Sequence, residues 1–78
     1  MKVLLFAALK ESLGPSIELN IVGKTVCQIK DDLAAQEPTL ASLIARSHFA
    51  VDQEYVGDHF EFSTEPRELA IVPPVSGG

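Results

Sequence analysis

The residue types that could do chemistry in this sequence are concentrated in its last segment, Val72-Pro73-Pro74-Val75-Ser76-Gly77-Gly78. Glycine has no Cβ atom, so a Gly-Gly backbone can enter a slot that is too narrow for other residues. The proline pair fixes φ at about −65° and removes two backbone donors, which favours a stiff, extended exit from a domain. We therefore expect the terminal carboxyl of Gly78 to be the reactive group and to enter an active site in another protein.

This carboxyl needs activation, because an α-carboxyl group has an ordinary pKa of about 3.3–3.7 and is an unreactive carboxylate at neutral pH. Attack on the α-phosphate of ATP would give an acyl-adenylate, whose carbonyl carbon can accept sulfur or nitrogen. The sequence contains neither a G-x-x-x-x-G-K-[ST] loop nor a G-x-G-x-x-G turn. We expect this chain to bind no cofactor and an activating partner to bind the ATP. The alternative is that Gly77 and Gly78 are simply a frayed chain end.

Length and charge exclude several classes of protein. A chain of 78 residues forms one domain with a small core. The net charge of −5, from eleven acids and six bases without a basic cluster, opposes nucleic-acid binding. The scattered acids either steer a basic protein partner or keep the surface solvated. The longest apolar run, Val3 to Leu9, is far shorter than the roughly 20 residues of a membrane span and has no signal-peptide pattern. We expect a cytoplasmic protein that contacts no membrane.

The cysteine and histidine residues indicate no site of their own. Cys27 is the single cysteine, so no internal disulfide can form. It falls in an apolar helical pattern, which predicts a buried thiol; a redox or sulfur-transfer thiol is the alternative. His48 and His59 have no partner at metal-ligand spacing, so no metal site is predicted. Without a Ser-His-Asp or Cys-His arrangement, we expect the chain to be non-catalytic alone.

Hydrophobic periodicity predicts one main helix and several short strands. Thr25 and Gln28 have the spacing of a capping box, and Val26, Ile29 and Leu33 recur at helical spacing after it. The predicted elements, in order, are a strand over 3–9, a helical turn over 10–13, a strand over 16–21, the main helix from 25 to 37, a helical piece over 40–46, short strands at 49–51 and 55–56, an alternating segment at 60–62 and a last strand over 69–72. This order favours an α+β fold with a sheet packed on one helix.

The ending Ile71-Val72-Pro73-Pro74-Val75-Ser76-Gly77-Gly78, with the opening Lys2-Val3-Leu4-Leu5-Phe6-Ala7 and the Leu9-Lys10-Glu11 after it, resembles the small subunits of molybdopterin synthase. These are ubiquitin-like sulfur carriers. The resemblance covers essentially the whole chain, and the tail is its specific part. Members usually carry an Asp-Gly-Asp-Glu turn before the last strand, where this chain has Ser63-Thr64-Glu65-Pro66-Arg67-Glu68. The resemblance implies a β-grasp domain over 1–72, with a mixed sheet, and a flexible extended tail over 73–78.

The resemblance also implies a function. Gly78 would be adenylated by an ATP-dependent activating enzyme, converted to a thiocarboxylate and used by the large synthase subunit to deliver sulfur to a pterin precursor. Two small subunits would sit at opposite ends of a large-subunit dimer, a heterotetramer in which the partner supplies the catalytic lysines and substrate-binding arginines. The alternatives are a sulfur carrier for thiamine or another pathway, a ubiquitin-like modifier of target lysines, and an interaction module with an inert tail.

The same resemblance places the first and last strands side by side and parallel at the sheet centre. Both are apolar on two faces, whereas one helix covers only one face, so the other face should expose apolar area. The alternative is that loops and the 39–46 segment cover it. The predicted partner contacts, together with the active Gly77 and Gly78, are Phe6, Lys10, Ile71, Val72, Pro73, Pro74, Val75 and Ser76. For Lys10 the alternative is an ordinary exposed lysine.

Overall fold

A computed structural model describes residues 1–74, and these form a mixed sheet with helices packed on one side. The strands follow the order β2-β1-β5-β3-β4. The elements are β1 (Lys2–Leu5), α1 (Ala7–Leu13), β2 (Ser16–Glu18), α2 (Val26–Gln36), a 3-10 turn (Pro38–Leu40), α3 (Ala41–Arg46), β3 (His48–Val51), β4 (Glu54–Val56) and β5 (Leu69–Val72).

The first and last strands are parallel neighbours at the sheet centre, as the resemblance implied. Leu4 pairs with Ala70 and Leu5 with Ile71. The antiparallel strand β2 lies outside β1, while β3 and then β4 lie on the other side of β5. Strand β5 therefore has a hydrogen-bonded neighbour along each of its edges.

The main helix begins with the predicted capping box. The Thr25 hydroxyl accepts a hydrogen bond from the Gln28 amide at 3.2 Å, and the Gln28 side-chain oxygen accepts one from the Thr25 amide at 2.8 Å. This reciprocal pair satisfies two backbone donors that would otherwise lack partners at a helix start. The inward stripe of Val26, Ile29 and Leu33 is buried against the sheet, as predicted.

The predicted strand over 3–9 is too long. Strand β1 ends at Leu5, and α1 begins at Ala7, which has a φ of 50°. Leu9 is fully buried in the core from α1, not from a strand. The apolar run gave a wrong prediction of its length because a short stretch without polar residues fits a buried strand and a buried helix equally well. The spacing of Leu9 and Leu13, one helical turn apart, was the signal for the helix.

The second predicted strand is shorter than expected, and the alternating 60–62 segment forms no strand. Strand β2 covers Ser16–Glu18, although Leu19 and Ile21 beyond it are buried as the alternation predicted. The 60–62 segment is not a strand, since Glu61 forms only an isolated bridge to Thr25. This segment instead runs along the start of α2 and places Phe62 in the core.

No helix within residues 1–74 combines the length and the apolar character that crossing a membrane requires. The longest of them, α2, has 11 residues.

Candidate docking face and tail root

One face of the sheet is left uncovered by the helices, and its residues follow from the strand register. Leu4, Ala70, Ala50 and Tyr55 form one row across β1, β5, β3 and β4. Val72 and His48 are opposite each other in the next row, and Phe6 extends β1 toward that row. We call this surface the open face and define it by Leu4, Phe6, His48, Ala50, Tyr55, Ala70 and Val72.

The open face exposes apolar and aromatic area, as predicted. Phe6 is 44% exposed and Tyr55 is 68% exposed, while Leu4 and Val72 are partly exposed. The alternative that the 39–46 segment covers this face is wrong. Helix α3 packs against α2 and buries Ile44 in the core on the opposite side of the sheet.

Ile71, one of the predicted partner contacts, does not contribute to this exposed area. Ile71 is 0% exposed and shares the helix-facing side of the sheet with Leu69. Side chains alternate between the two faces of a strand, so Ala70 and Val72 take the open side. The sequence of β5 is apolar at every position and contains no polar residue to mark which side faces the helices.

The tail begins at one end of the open face. Strand β5 ends at Val72, Pro73 is buried and Pro74 is partly buried. The predicted tail residues Val75, Ser76, Gly77 and Gly78 lie outside the described residues. Because β5 is parallel to β1 and antiparallel to β3, this end of the sheet also carries Phe6 and His48. The exposed apolar area and the start of the tail are therefore contiguous.

Lys10 lies on α1, the helix that starts at this same end. Its side chain is exposed and, among residues 1–74, its ammonium takes part in no ion pair. Its carbonyl accepts the amide of Gly14, which ends α1 with a φ of 92°. The predicted contact residue is thus accessible to a partner, and its role stays a prediction.

Several open-face residues were missed by the sequence analysis. The signal was present as alternation in two strands. Residues 2 and 4 of the first strand, with residue 6 just beyond its end, occupy the same side as residues 48 and 50 of the third strand. This alternation could not be recognised because the intervening residues, which face the core, are equally apolar. Only the pairing of strands across the sheet shows which side chains lie on the open face. The missed residues are Leu4, His48, Ala50, Tyr55 and Ala70.

The start of α2 resembles a phosphate site in sequence but not in structure. Gly23-Lys24-Thr25 precedes the helix, as in the last part of a phosphate-binding loop. The amides of Val26 and Cys27 already donate to carbonyls of the 58–60 segment, at 2.9 and 3.0 Å. The next amide, that of Gln28, donates to the Thr25 hydroxyl. The Lys24 ammonium is held by a carboxylate of α2 at 2.6 Å. A helix start whose amides are all occupied offers no anion-binding donors.

The described side chains do not assemble a catalytic centre. Across residues 1–74, no group of three or more His, Cys, Asp or Glu side chains is arranged to hold a metal ion. The prediction of a buried Cys27 is wrong, because the thiol is exposed. Val26, Ile29 and Leu33 define the buried stripe of α2, and Cys27 lies about 100° around the helix from Val26, beyond its edge.

Comparison with known proteins adds independent findings. Residues 3–78 match the family model described as the ThiS family. Three curated proteins named molybdopterin synthase sulfur carrier subunit are similar to this chain. The protein of Dictyostelium discoideum is 36% identical over 99% of this chain and 94% of its own length. That of Arabidopsis thaliana is 36% identical, covering 100% and 82%, and that of Homo sapiens is 34% identical, covering 100% and 93%.

A solved structure shows the same architecture. The crystal structure of SAMP1 from Haloferax volcanii matches with a TM-score of 0.65 and 26% identity, over 99% of this chain and 97% of that one. With the mixed sheet packed on α2, this likeness confirms the predicted β-grasp fold.

Proposed function

This chain belongs to the ThiS family, and from that membership we propose that it is the sulfur carrier subunit of a molybdopterin synthase. The observation that carries the proposal is the similarity to three sulfur carrier subunits of that enzyme along nearly the whole chain. The partner in this proposal is the large subunit of the synthase, with which the chain forms a heterotetramer.

The reactive group in this proposal is the carboxylate of Gly78, the last residue of the sequence. In an activating partner it attacks the α-phosphate of ATP, so that pyrophosphate leaves and an acyl-adenylate forms. Hydrosulfide supplied by a sulfur donor then attacks the carbonyl carbon, the bond from that carbon to the phosphate oxygen breaks, AMP leaves and a thiocarboxylate remains. The large subunit uses that sulfur to modify the pterin precursor.

Geometry limits where the large subunit can dock. Gly78 is four residues beyond Pro74, and an extended chain advances at most about 3.3–3.6 Å per residue. The partner's active site must therefore lie within roughly 14 Å of Pro74. The open face is the exposed apolar surface next to that point, so Phe6 and Val72 are its proposed central contacts. Ile71 is not part of this contact because it faces the core.

Intact-mass spectrometry tests the carrier chemistry directly. The full chain is incubated with the activating enzyme, ATP and a sulfur donor, and the expected product has one oxygen replaced by sulfur. Deleting Gly78 should abolish the mass change and cofactor synthesis while thermal unfolding stays the same. Gly57→Ala is the matched glycine control, since nothing lies within 4 Å of its added Cβ atom.

Other outcomes would reject the proposal in distinguishable ways. Addition of the mass of a whole protein would identify a modifier instead of a carrier. A thiocarboxylate that forms but is not consumed by the synthase large subunit would indicate another sulfur pathway. Full cofactor synthesis by the chain without Gly78 would show that the tail is inert.

A further inference from the structure

We propose that the partner covering the open face meets His48 and Tyr55 with a carboxylate side chain, which makes this pair the polar anchor of an otherwise apolar contact. The inference rests on the proposed function, because it takes the synthase large subunit as the partner. It deepens that function by naming the chemistry the partner must present.

The two side chains form a pair on the open face. His48 is the first residue of β3 and Tyr55 is the middle residue of β4, and their ring centroids are 5.5 Å apart. Tyr55 is 68% exposed and His48 is exposed as well. His48 is directly opposite Val72, the last residue of β5 before the tail. A protein that covers Val72 at the end of β5 therefore has His48 in the next strand and Tyr55 directly beside it.

Covering the pair with an apolar surface would be unfavourable. An imidazole and a phenol each carry polar atoms that bond to water when exposed, and a buried polar group without a partner costs binding free energy. Within residues 1–74 neither the His48 imidazole nor the Tyr55 hydroxyl makes a side-chain hydrogen bond. The partner must therefore supply the missing bonds.

The charges around His48 favour a carboxylate for this role. Strand β5 presents Ala70 and Val72 to the open side, and β4 presents Tyr55, so the strands beside His48 add no charge there. Lys2 is on β1, two strands or roughly 10 Å across the sheet, and it faces Glu18 on β2. Those two charges cancel locally and are screened at that distance.

The helices that begin or end near the start of the tail add net positive charge to this part of the surface. Arg46 ends α3 two residues before His48 and is exposed, while α1 carries Lys10 and Glu11. Asp58, which follows β4 at this end of the sheet, is paired with Lys30 at 3.0 Å, so these two charges cancel. This part of the surface is therefore slightly basic on a chain whose net charge is −5. A carboxylate complements it and has two oxygens, which can accept from the imidazole and the phenol together. A lysine or arginine at that point would add like charge.

Binding measured at two pH values tests the anchor. The full chain is titrated calorimetrically with the large subunit of the same organism's synthase at about pH 8 and about pH 6, a range in which histidine ordinarily takes up a proton. With a carboxylate opposite, protonation strengthens the contact, and we expect Kd to fall on the order of tenfold at the lower pH. His48→Gln should remove this pH dependence. Tyr55→Phe should weaken binding about fivefold at both values and keep the dependence.

His59→Gln is the matched control, since His59 is exposed in the 57–60 turn, which follows β4 at the same end of the sheet, and it is not one of the open-face residues. It should behave like the unchanged chain. Binding that weakens or does not change on acidification, or a His48→Gln variant with the original dependence, overturns the anchor while leaving the carrier function intact. No binding at either pH overturns both the anchor and the docking proposed above.

Discussion

Truncating Phe6 should weaken docking without disturbing the rest of the domain. Phe6 is 44% exposed on the open face. A phenylalanine side chain offers roughly 200 Å² of surface, so on the order of 90 Å² remains for a partner to cover. At about 25 cal/mol per Å² this area is worth about 2 kcal/mol of binding free energy. Phe6→Ala should therefore raise the Kd for the large subunit roughly 30-fold.

The assay is calorimetric titration of the large subunit with folded protein, at a temperature well below the unfolding transition of each variant. Phe60→Ala is the matched control, because Phe60 is 37% exposed but packs edge-to-face against Phe62 beside α2, on the helix side of the sheet. It should leave the Kd within about twofold. A Phe6→Ala variant that binds as well as the unchanged chain, or a Phe60→Ala variant that loses as much, would refute the assignment of the open face.

Three further predictions concern the domain itself. Leu9→Ala should lower the free energy of unfolding by about 2–5 kcal/mol in urea denaturation, because Leu9 is 0% exposed. The control is Ala8→Ser on the exposed side of α1, and equal stability of both variants would contradict a core role for α1. Gln53→Gly should raise the free energy of unfolding by about 1 kcal/mol in the same assay, since Gln53 has a φ of 72° in the turn between β3 and β4; a loss of stability would contradict the left-handed backbone there. Cys27 should react with a maleimide in the folded protein at a rate within about tenfold of that in urea, whereas strong protection would show that the thiol is buried.

The helices and strands that could be predicted are those whose ends are determined by residues within the element or next to it. Thr25 and Gln28 form a local cap, so the start of α2 was predictable from four residues. The end of β1 was not, because Val3–Leu9 contains no polar residue to show a change of period. The turn into α1 depends on the left-handed backbone conformation of Ala7. An alanine in the sequence gives no indication of that conformation.

Part of the candidate site could also be predicted from local residues, and part of it could not. The reactive tail could be predicted from its own residues, because glycine and proline have backbone properties independent of context, and it stays a prediction. The open face could not be predicted, since it arises from register between strands that are distant along the chain. Whether Ile71 or Val72 faces outward depends on pairing with His48 and Phe49, which lie more than 20 residues earlier in the sequence. A shift of one residue in that pairing would exchange the two faces.

The position of β5 has a mechanical consequence. A partner that draws the C-terminal segment into a deep cleft pulls along the axis of this strand. With β1 parallel on one edge and β3 antiparallel on the other, that load is shared by both hydrogen-bonded ladders at once, in shear, instead of opening them one bond after another. A pull on the end of the chain therefore loads the hydrogen bonds on both edges of β5 together.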